Sequence, residues 1–315
     1  MAGLIKKNYP QCTIVFLGRS YTKDIVSLSE HVDEFINYDD IEKLSKKQRV
    51  QFLKQQAADI FLHVFPKKQI ADLAKDAKIP LRVGTTNRFY HWLTCNKLIK
   101  LSRKNSALHE GQLNLKLLSF LNIETDLALN EIRSYYGFKN IPAIEEEYNA
   151  LIDNKRFNLI LHPKSKGSAK EWGLQNFEKL IKLLPKDKFK IFISGTVQDG
   201  KSMLDFLTKN KDVVNLTGKF TLQQFIAFIN ASDGLVAAST GPLHIAAALN
   251  KRAIGLFSPK RPIHPGRWMP LGKDAHVLVF NVNCQKCQKK LDCDCITRIK
   301  PERVLDLLQQ KNERI

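Results

Sequence analysis

Short β-branched or aromatic runs alternate with helical patterns along nearly the whole chain, and this alternation constrains the fold more than any other feature. Strand-like runs at 13–17, 34–38, 59–64 and 80–84 are separated by helical stretches around 21–29, 41–55 and 67–75. A longer helical pattern covers 109–121. The second half repeats the scheme, with strand-like runs at 158–161, 190–194, 212–216, 234–237 and 253–257. Helical patterns fall between them at 176–184, 200–208, 222–230 and 242–249. Strands that alternate with helices pair in parallel sheets covered by helices, so the expected fold class is α/β. A length of 315 residues suits two domains. The acidic, proline-containing stretch 139–156 is the expected linker, giving domains 1–150 and 151–315. A ligand cleft is expected between them, at the carboxyl ends of the strands. A last helix over 301–311 starts with Pro at its first turn.

No apolar run approaches the roughly 18–20 residues that span a bilayer. Lys and Arg number 50 against 31 Asp and Glu, a formal net charge of +19. Such an excess favours an anionic partner: nucleic acid, an anionic membrane surface or a phosphorylated substrate. The cations are spread along the chain and no recognition module is visible, which ranks nucleic acid last. Six cysteines, with no signal-peptide pattern, point to a reducing cytoplasm and no disulfide framework.

Three segments carry chemistry. The first, HPKSKGSAKEW at 162–172, joins a strand to a helix. It reads either as a phosphate loop, whose N–H groups, hydroxyls and lysines face an anion, or as a solvated basic loop. The second, ASTGPLHIAAAL at 238–249, is a strand end followed by a helix start. Gly241 allows close approach, and Pro242 sits where a helix needs no N–H donor. Ser239, Thr240 and the free N–H groups of the first turn converge on a point suited to a diphosphate, or cap the helix without a ligand. His244 reads equally as a ligand contact and as a partly buried histidine. The third is the cluster Cys284, Cys287, Cys293 and Cys295. Four thiolates over twelve residues suit a structural zinc; reduced thiols or a local disulfide are the alternatives.

Together with LTGKFTLQQF at 216–225 and FSPKRPIHPGRWMPLG at 257–272, the first two segments resemble glycosyltransferase family 9, the heptosyltransferases of lipopolysaccharide assembly. The resemblance runs from about Gly84 to the C-terminus and more weakly upstream. It implies a GT-B fold of two Rossmann-like domains: an N-terminal acceptor-side domain and a C-terminal nucleotide-sugar domain, whose last helix is a candidate to pack back on the first. It implies an inverting transfer of heptose from ADP-heptose to an anionic lipid A–core acceptor, with no required cofactor, on the cytoplasmic side of the inner membrane. A catalytically degenerate nucleotide-sugar-binding paralogue is the alternative.

Residue by residue, the resemblance makes Lys170 the lysine that neutralises the donor diphosphate. Lys164 and Ser165 occupy the donor-phosphate loop, Thr240 and Gly241 hold the diphosphate, and His244 is a neighbouring donor-site histidine. Gln198 and Asp199 fall where the family contacts the nucleoside. Many members carry Asp where this chain has Ser239. The basic, aromatic-rich stretch 82–104, followed by His109, reads as an acceptor face through Arg82, Arg88 and His109, or as a solvated face beside a core strand. It also suits weak adsorption to anionic lipid.

One part of the pattern is missing. A doubly wound domain opens with its central strand and a glycine-containing loop. This chain opens on AGLIKKNYP, which reads as the last turns of a first helix running into strand 13–17. In the family the missing loop carries the general-base Asp. The natural chain is therefore expected to begin roughly 20–30 residues earlier, with that Asp upstream of Met1, since Asp24, Asp33, Asp39 and Asp40 follow the wrong elements.

Overall fold

The computed structural model describes residues 1–103 and 106–310. Lys104, at the end of the basic stretch, and Lys311, at the expected end of the last helix, lie outside the described residues. The chain forms two compact units, 1–140 and 141–315. The segment just after the division belongs to the second unit, because the Glu146–Asn149 helix packs on the Leu222–Ala231 helix, with Tyr148 edge-on to Phe220 at 4.7 Å.

In the N-terminal unit, helix Ala2–Asn8 leads into β1 (Val15–Gly18), which pairs in parallel with β2 (Glu34–Asn37). A separate parallel sheet orders β3 (Ile60–Leu62), β4 (Leu81–Thr85) and β5 (Lys97–Ile99). Among the described residues β1 pairs only with β2 and β3 only with β4, so the unit's sheet is interrupted. Val15, Phe16 and Ile60 are each about two-fifths exposed on these strands.

The C-terminal unit carries a continuous six-stranded parallel sheet. Its strands are β6 (Phe157–His162), β7 (Phe189–Ile193), β8 (Val214–Asn215), β9 (Gly234–Ala238), β10 (Arg252–Phe257) and β11 (Ala275–Val279), in the order β11-β10-β9-β6-β7-β8. Read from the β8 edge, this is the 3-2-1-4-5-6 order of a doubly wound nucleotide-binding domain. Leu159, Ile160 and Leu161 of β6 and every residue of β9 are buried, as expected for strands covered on both faces. The core beneath one face gathers Trp172, Phe177, Leu180, Val304 and Leu308. The last two place the apolar side of the Pro301–Gln309 helix in the C-terminal core, against the Leu174–Leu183 helix. No helix among the described residues is long and apolar enough to cross a membrane.

Several elements depart from the sequence pattern. The 41–55 pattern breaks, and a second helix, Lys46–Gln55, restarts at a capping box of Ser45 with Gln48. The 200–208 pattern divides into Val197–Ser202 and Leu204–Lys209 at Met203, whose backbone leaves the helical region. The 109–121 pattern is α-helical only over Glu110–Leu115, then tightens to a 3-10 turn that ends on left-handed Asn122. Strands β5 and β11 and the Phe89–Thr94 helix were not anticipated.

Trp172 is 1% exposed, meets Phe177 edge-to-face at 4.9 Å and donates from Nε1 to the Ile299 carbonyl at 2.9 Å. Trp172→Ala should therefore cost about 3–5 kcal/mol in the unfolding transition of the C-terminal unit, measured by denaturant titration.

Candidate functional site

The order of the C-terminal sheet reverses between β6 and β9, and ligands of doubly wound sheets bind outside the carboxyl ends of the strands at such a point. His162, the last residue of β6, lies in register with Ala237 of β9. The loops that follow these two strands therefore leave the sheet side by side. Both lead into a hollow of about 540 Å³, the size of a small-molecule site.

The β9 side is a helix start. Thr240 is the N-cap of the Gly241–Ala248 helix, yet its side chain caps nothing. Its Oγ1 is buried with no hydrogen-bond partner, and the residue is only 7% exposed. A buried, unpaired hydroxyl costs free energy unless something completes it. A Cβ added at Gly241 would meet nothing within 4 Å, so a ligand can approach the backbone there. The free N–H groups of the first turn and the helix dipole favour an anion at this position.

The β6 side is a basic turn. The carboxylate of Glu171 accepts from Lys164 Nζ at 2.7 Å and from the Ser165 backbone N–H at 3.1 Å. The Ser165 hydroxyl donates to the Ala169 carbonyl at 2.6 Å. Lys166 and Gly167 both take left-handed backbone (φ 49° and 80°), and Ser168 closes the turn onto the Ser165 carbonyl. Lys166 forms no salt bridge among the described residues, and its charge acts on His162 and Asp199. The far wall carries Phe220 stacked with Phe225 at 5.8 Å.

His162 forms a hydrogen bond between Nδ1 and Ser194 Oγ at 2.9 Å. Burial drives its pKa down to about 4, against the opposing pull of the Asp199 carboxylate. Burial raises the Asp199 carboxyl, but the backbone N–H and hydroxyl of Thr196 outweigh it and hold the group below the ordinary range.

A second hollow of about 350 Å³ opens on the other side of the Ser239–Thr240 step, at the ends of β9 and β10. Lys170, Ser239, Ser258, Lys260, Arg261 and Asp292 contribute to its walls.

The expected residues separate accordingly. Lys164, Ser165, Thr240 and Gly241 meet in the larger hollow. Lys170 and Ser239 do not line it: Lys170 Nζ bonds to Asp292 Oδ1 at 2.8 Å and to the Cys293 carbonyl, in the smaller one. Lys170 and the Gly241 helix tip thus line two adjoining hollows, and the larger one also carries Lys166, a loop lysine to which the resemblance gave no role of its own. Its signal was present in the Ser165–Ser168 turn, whose two left-handed positions carry it over His162. Gln198 is exposed and lines neither hollow; its neighbour Asp199 does. His244 is half-buried and lines neither.

The acceptor-side residues are corrected in part. Arg82 is spent inside its own unit, with Nε on the Thr94 carbonyl at 2.7 Å and Nη1 on the Ile79 carbonyl. His109 is buried as a helix N-cap, its Nδ1 accepting from the Gly111 N–H at 3.1 Å. Arg88 is exposed at the start of the Phe89–Thr94 helix. The four cysteines converge, with all Sγ atoms within 4.8 Å of one another.

Residues 48–295 match glycosyltransferase family 9 (heptosyltransferase). The chain belongs to this family. It is a heptosyltransferase-like glycosyltransferase. A Haemophilus influenzae protein provisionally named as a glycosyltransferase is 25% identical over 285 residues, 87% of this chain and 82% of that protein. Lipooligosaccharide heptosyltransferase 2 of Campylobacter jejuni is 27% identical over 221 residues, 66% of each chain. The solved structure of the Escherichia coli ADP-heptose LPS heptosyltransferase II shares the fold with a TM-score of 0.72 at 19% identity, covering 98% of this chain and 92% of that one.

Burial also lowers His63 to about 4, with His91 and Arg82 adding repulsion. Folded, both imidazoles stay neutral to near pH 4, whereas an unfolded histidine takes its proton near 6.5. Between those values the unfolded chain binds more protons, so stability is fully present above pH 6.5 and falls as the pH drops toward 4. Denaturation midpoints at pH 7.5 and 5 should show this loss, and His162→Gln should reduce it in the C-terminal transition.

Proposed function

We propose that this glycosyltransferase moves a heptose from ADP-heptose to an anionic lipopolysaccharide core acceptor, with inversion at the anomeric carbon. The observation that carries the reading is the unpaired Thr240 hydroxyl at an open helix start on the sheet's switch point. A diphosphate supplies the acceptor oxygens that this hydroxyl and the Gly241 backbone lack.

In this reading the donor spans both hollows. The adenosine end occupies the larger one, its base against the Phe220–Phe225 wall. The diphosphate lies over Thr240 and Gly241 with Lys166 beside it. The sugar-side phosphate reaches past Ser239 toward Lys170. The acceptor hydroxyl attacks the anomeric carbon from the face opposite the diphosphate, the bond to the phosphate oxygen breaks, and a carboxylate takes the hydroxyl proton. Charge leaves with the diphosphate, so fixed N–H dipoles and lysines already in place lower the barrier. The sugar passes through an oxocarbenium-like state, as in glycoside hydrolysis.

The acceptor and the cytoplasmic membrane face belong to the same proposal. Phe65, Phe89, Trp92 and Leu93 are between 60% and 81% exposed in the N-terminal unit, with Arg88 and Lys67 among them in sequence. Aromatic rings interleaved with cations suit the interface of an anionic lipid.

Titration calorimetry should show ADP and ADP-heptose binding more tightly than their uridine and guanosine counterparts. Transfer of labelled heptose to a heptose-deficient core would then establish the reaction. Donor binding with no transfer to any core would make the chain a degenerate binder, and no sugar-nucleotide binding would defeat the reading. Thr240→Val removes the unpaired hydroxyl at nearly constant shape. It should leave the free protein as stable as before, or up to about 1 kcal/mol more so, while weakening ADP roughly tenfold. Lys166→Ala should raise the donor KM, and Lys170→Ala should lower kcat.

A further inference from the structure

We infer that Cys284, Cys287, Cys293 and Cys295 hold a zinc ion, and that this ion fixes the loop that forms one wall of the smaller hollow. The four thiols are free, and Cys287, Cys293 and Cys295 are at most 9% exposed. Their sulfurs lie 3.4 Å apart for Cys284–Cys293 and 3.1 Å for Cys293–Cys295, and no two of the four exceed 4.8 Å. A tetrahedral zinc with bonds of about 2.3 Å needs sulfur–sulfur edges of about 3.8 Å, which falls inside that range. A disulfide bond of about 2.05 Å does not.

The surroundings suit a doubly negative tetrathiolate. Lys286, Lys289, Lys290, Arg298 and Lys300 lie within or beside the cluster in sequence, against Asp292 and Asp294. The segment has little regular structure. After β11 its one regular element before the last helix is the single turn Gln285–Gln288, and three of the cysteines form a small apolar cluster separate from the main core. Ile296 and Ile299 anchor the end of the segment in the main core, whereas the turns around the three buried thiols have no aliphatic core of their own and would gain definition from a metal bond set.

The consequence reaches the proposed donor site. Asp292, on the loop between the second and third ligands, and the carbonyl of the third, Cys293, are the two groups that hold Lys170. Cys287, Asp292 and Cys293 also line the smaller hollow. The metal site itself stands whether or not the donor assignment does.

The test uses the full chain purified under reducing conditions from zinc-supplemented medium. Elemental analysis should find about one zinc per chain, and an organomercurial should release it as the thiols are titrated. Cobalt substitution should add thiolate-to-metal charge-transfer bands and tetrahedral d–d absorption. Removing the metal should lower the unfolding temperature by roughly 4 °C or more. Cys287→Ser and Cys295→Ser should lose the metal, while Cys12→Ser and Cys95→Ser retain it. If the first pair fails to fold, the wild-type metal content and the cobalt spectrum still decide. Four freely titrating thiols with no bound metal, disulfides in the non-reduced chain, or an iron–sulfur chromophore would each overturn the inference. Lost metal with unchanged ADP affinity would leave the metal site standing and detach it from the donor.

Discussion

Everything at the candidate site depends on the parallel pairing of β6 with β9, two strands separated in the chain by two other strands and their helices. Because β7 and β8 extend the sheet on one side and β10 and β11 on the other, the chain leaves β6 and β9 in opposite directions. The gap thus opened at their carboxyl ends cannot be filled by either crossover, and the start of the Gly241–Ala248 helix opens onto it. The aliphatic side chains of β6 and the small, apolar residues of β9 keep the pair buried on both faces. Displacing this pair would dismantle the core before it altered the site.

The +19 charge does not by itself make an anion site. Of the three lysines on the loop after β6, Lys164 is neutralised by Glu171 and Lys170 by Asp292, which leaves Lys166 over the hollow. Glu171 spends its other oxygen on the Ser165 N–H, so one carboxylate both cancels a charge and shapes the turn that lifts its neighbour. In the proposed reading the anion meets the Gly241 turn, the unpaired Thr240 hydroxyl and Lys166. Many of the remaining cations are paired on the surface or spread along the chain, where each is worth little.

The elements that build the site were legible in the sequence because they are long, apolar and bounded by strong signals. β6 stands out as an aliphatic run and β9 as a small apolar one, and Gly241-Pro242 marks the helix start. What escaped was short or ambiguous. Strand β5 has three residues, inside a stretch dominated by cations, and β11 follows a proline- and glycine-rich loop that masks its start. Arg82 and His109 carry side chains that suit an acceptor, but a guanidinium beside free carbonyls and an imidazole at a helix start find nearer partners than any ligand. Only coordinates distinguish these cases. Lys170 illustrates the limit most clearly: its place two residues before Trp172 is legible, but the buried indole turns the preceding lysine toward a loop more than 120 residues away in the chain.

That contact does not remove Lys170 from donor chemistry. The Asp292 side chain is 98% exposed, and an ion pair so open to water is screened and contributes little. A diphosphate carries more charge than one carboxylate and presents it in a partly enclosed hollow, where it outcompetes a solvated surface partner. Among the residues lining that hollow Asp292 is the one carboxylate, facing Lys170, Lys260 and Arg261, while position 239 contributes only a hydroxyl. Three cationic side chains thus stand against one carboxylate at the smaller hollow, and that carboxylate is open enough to water to yield. In the proposed donor reading Asp292 holds the ammonium at the hollow until an anion arrives, and the loop that carries Asp292 sets how far the ammonium reaches.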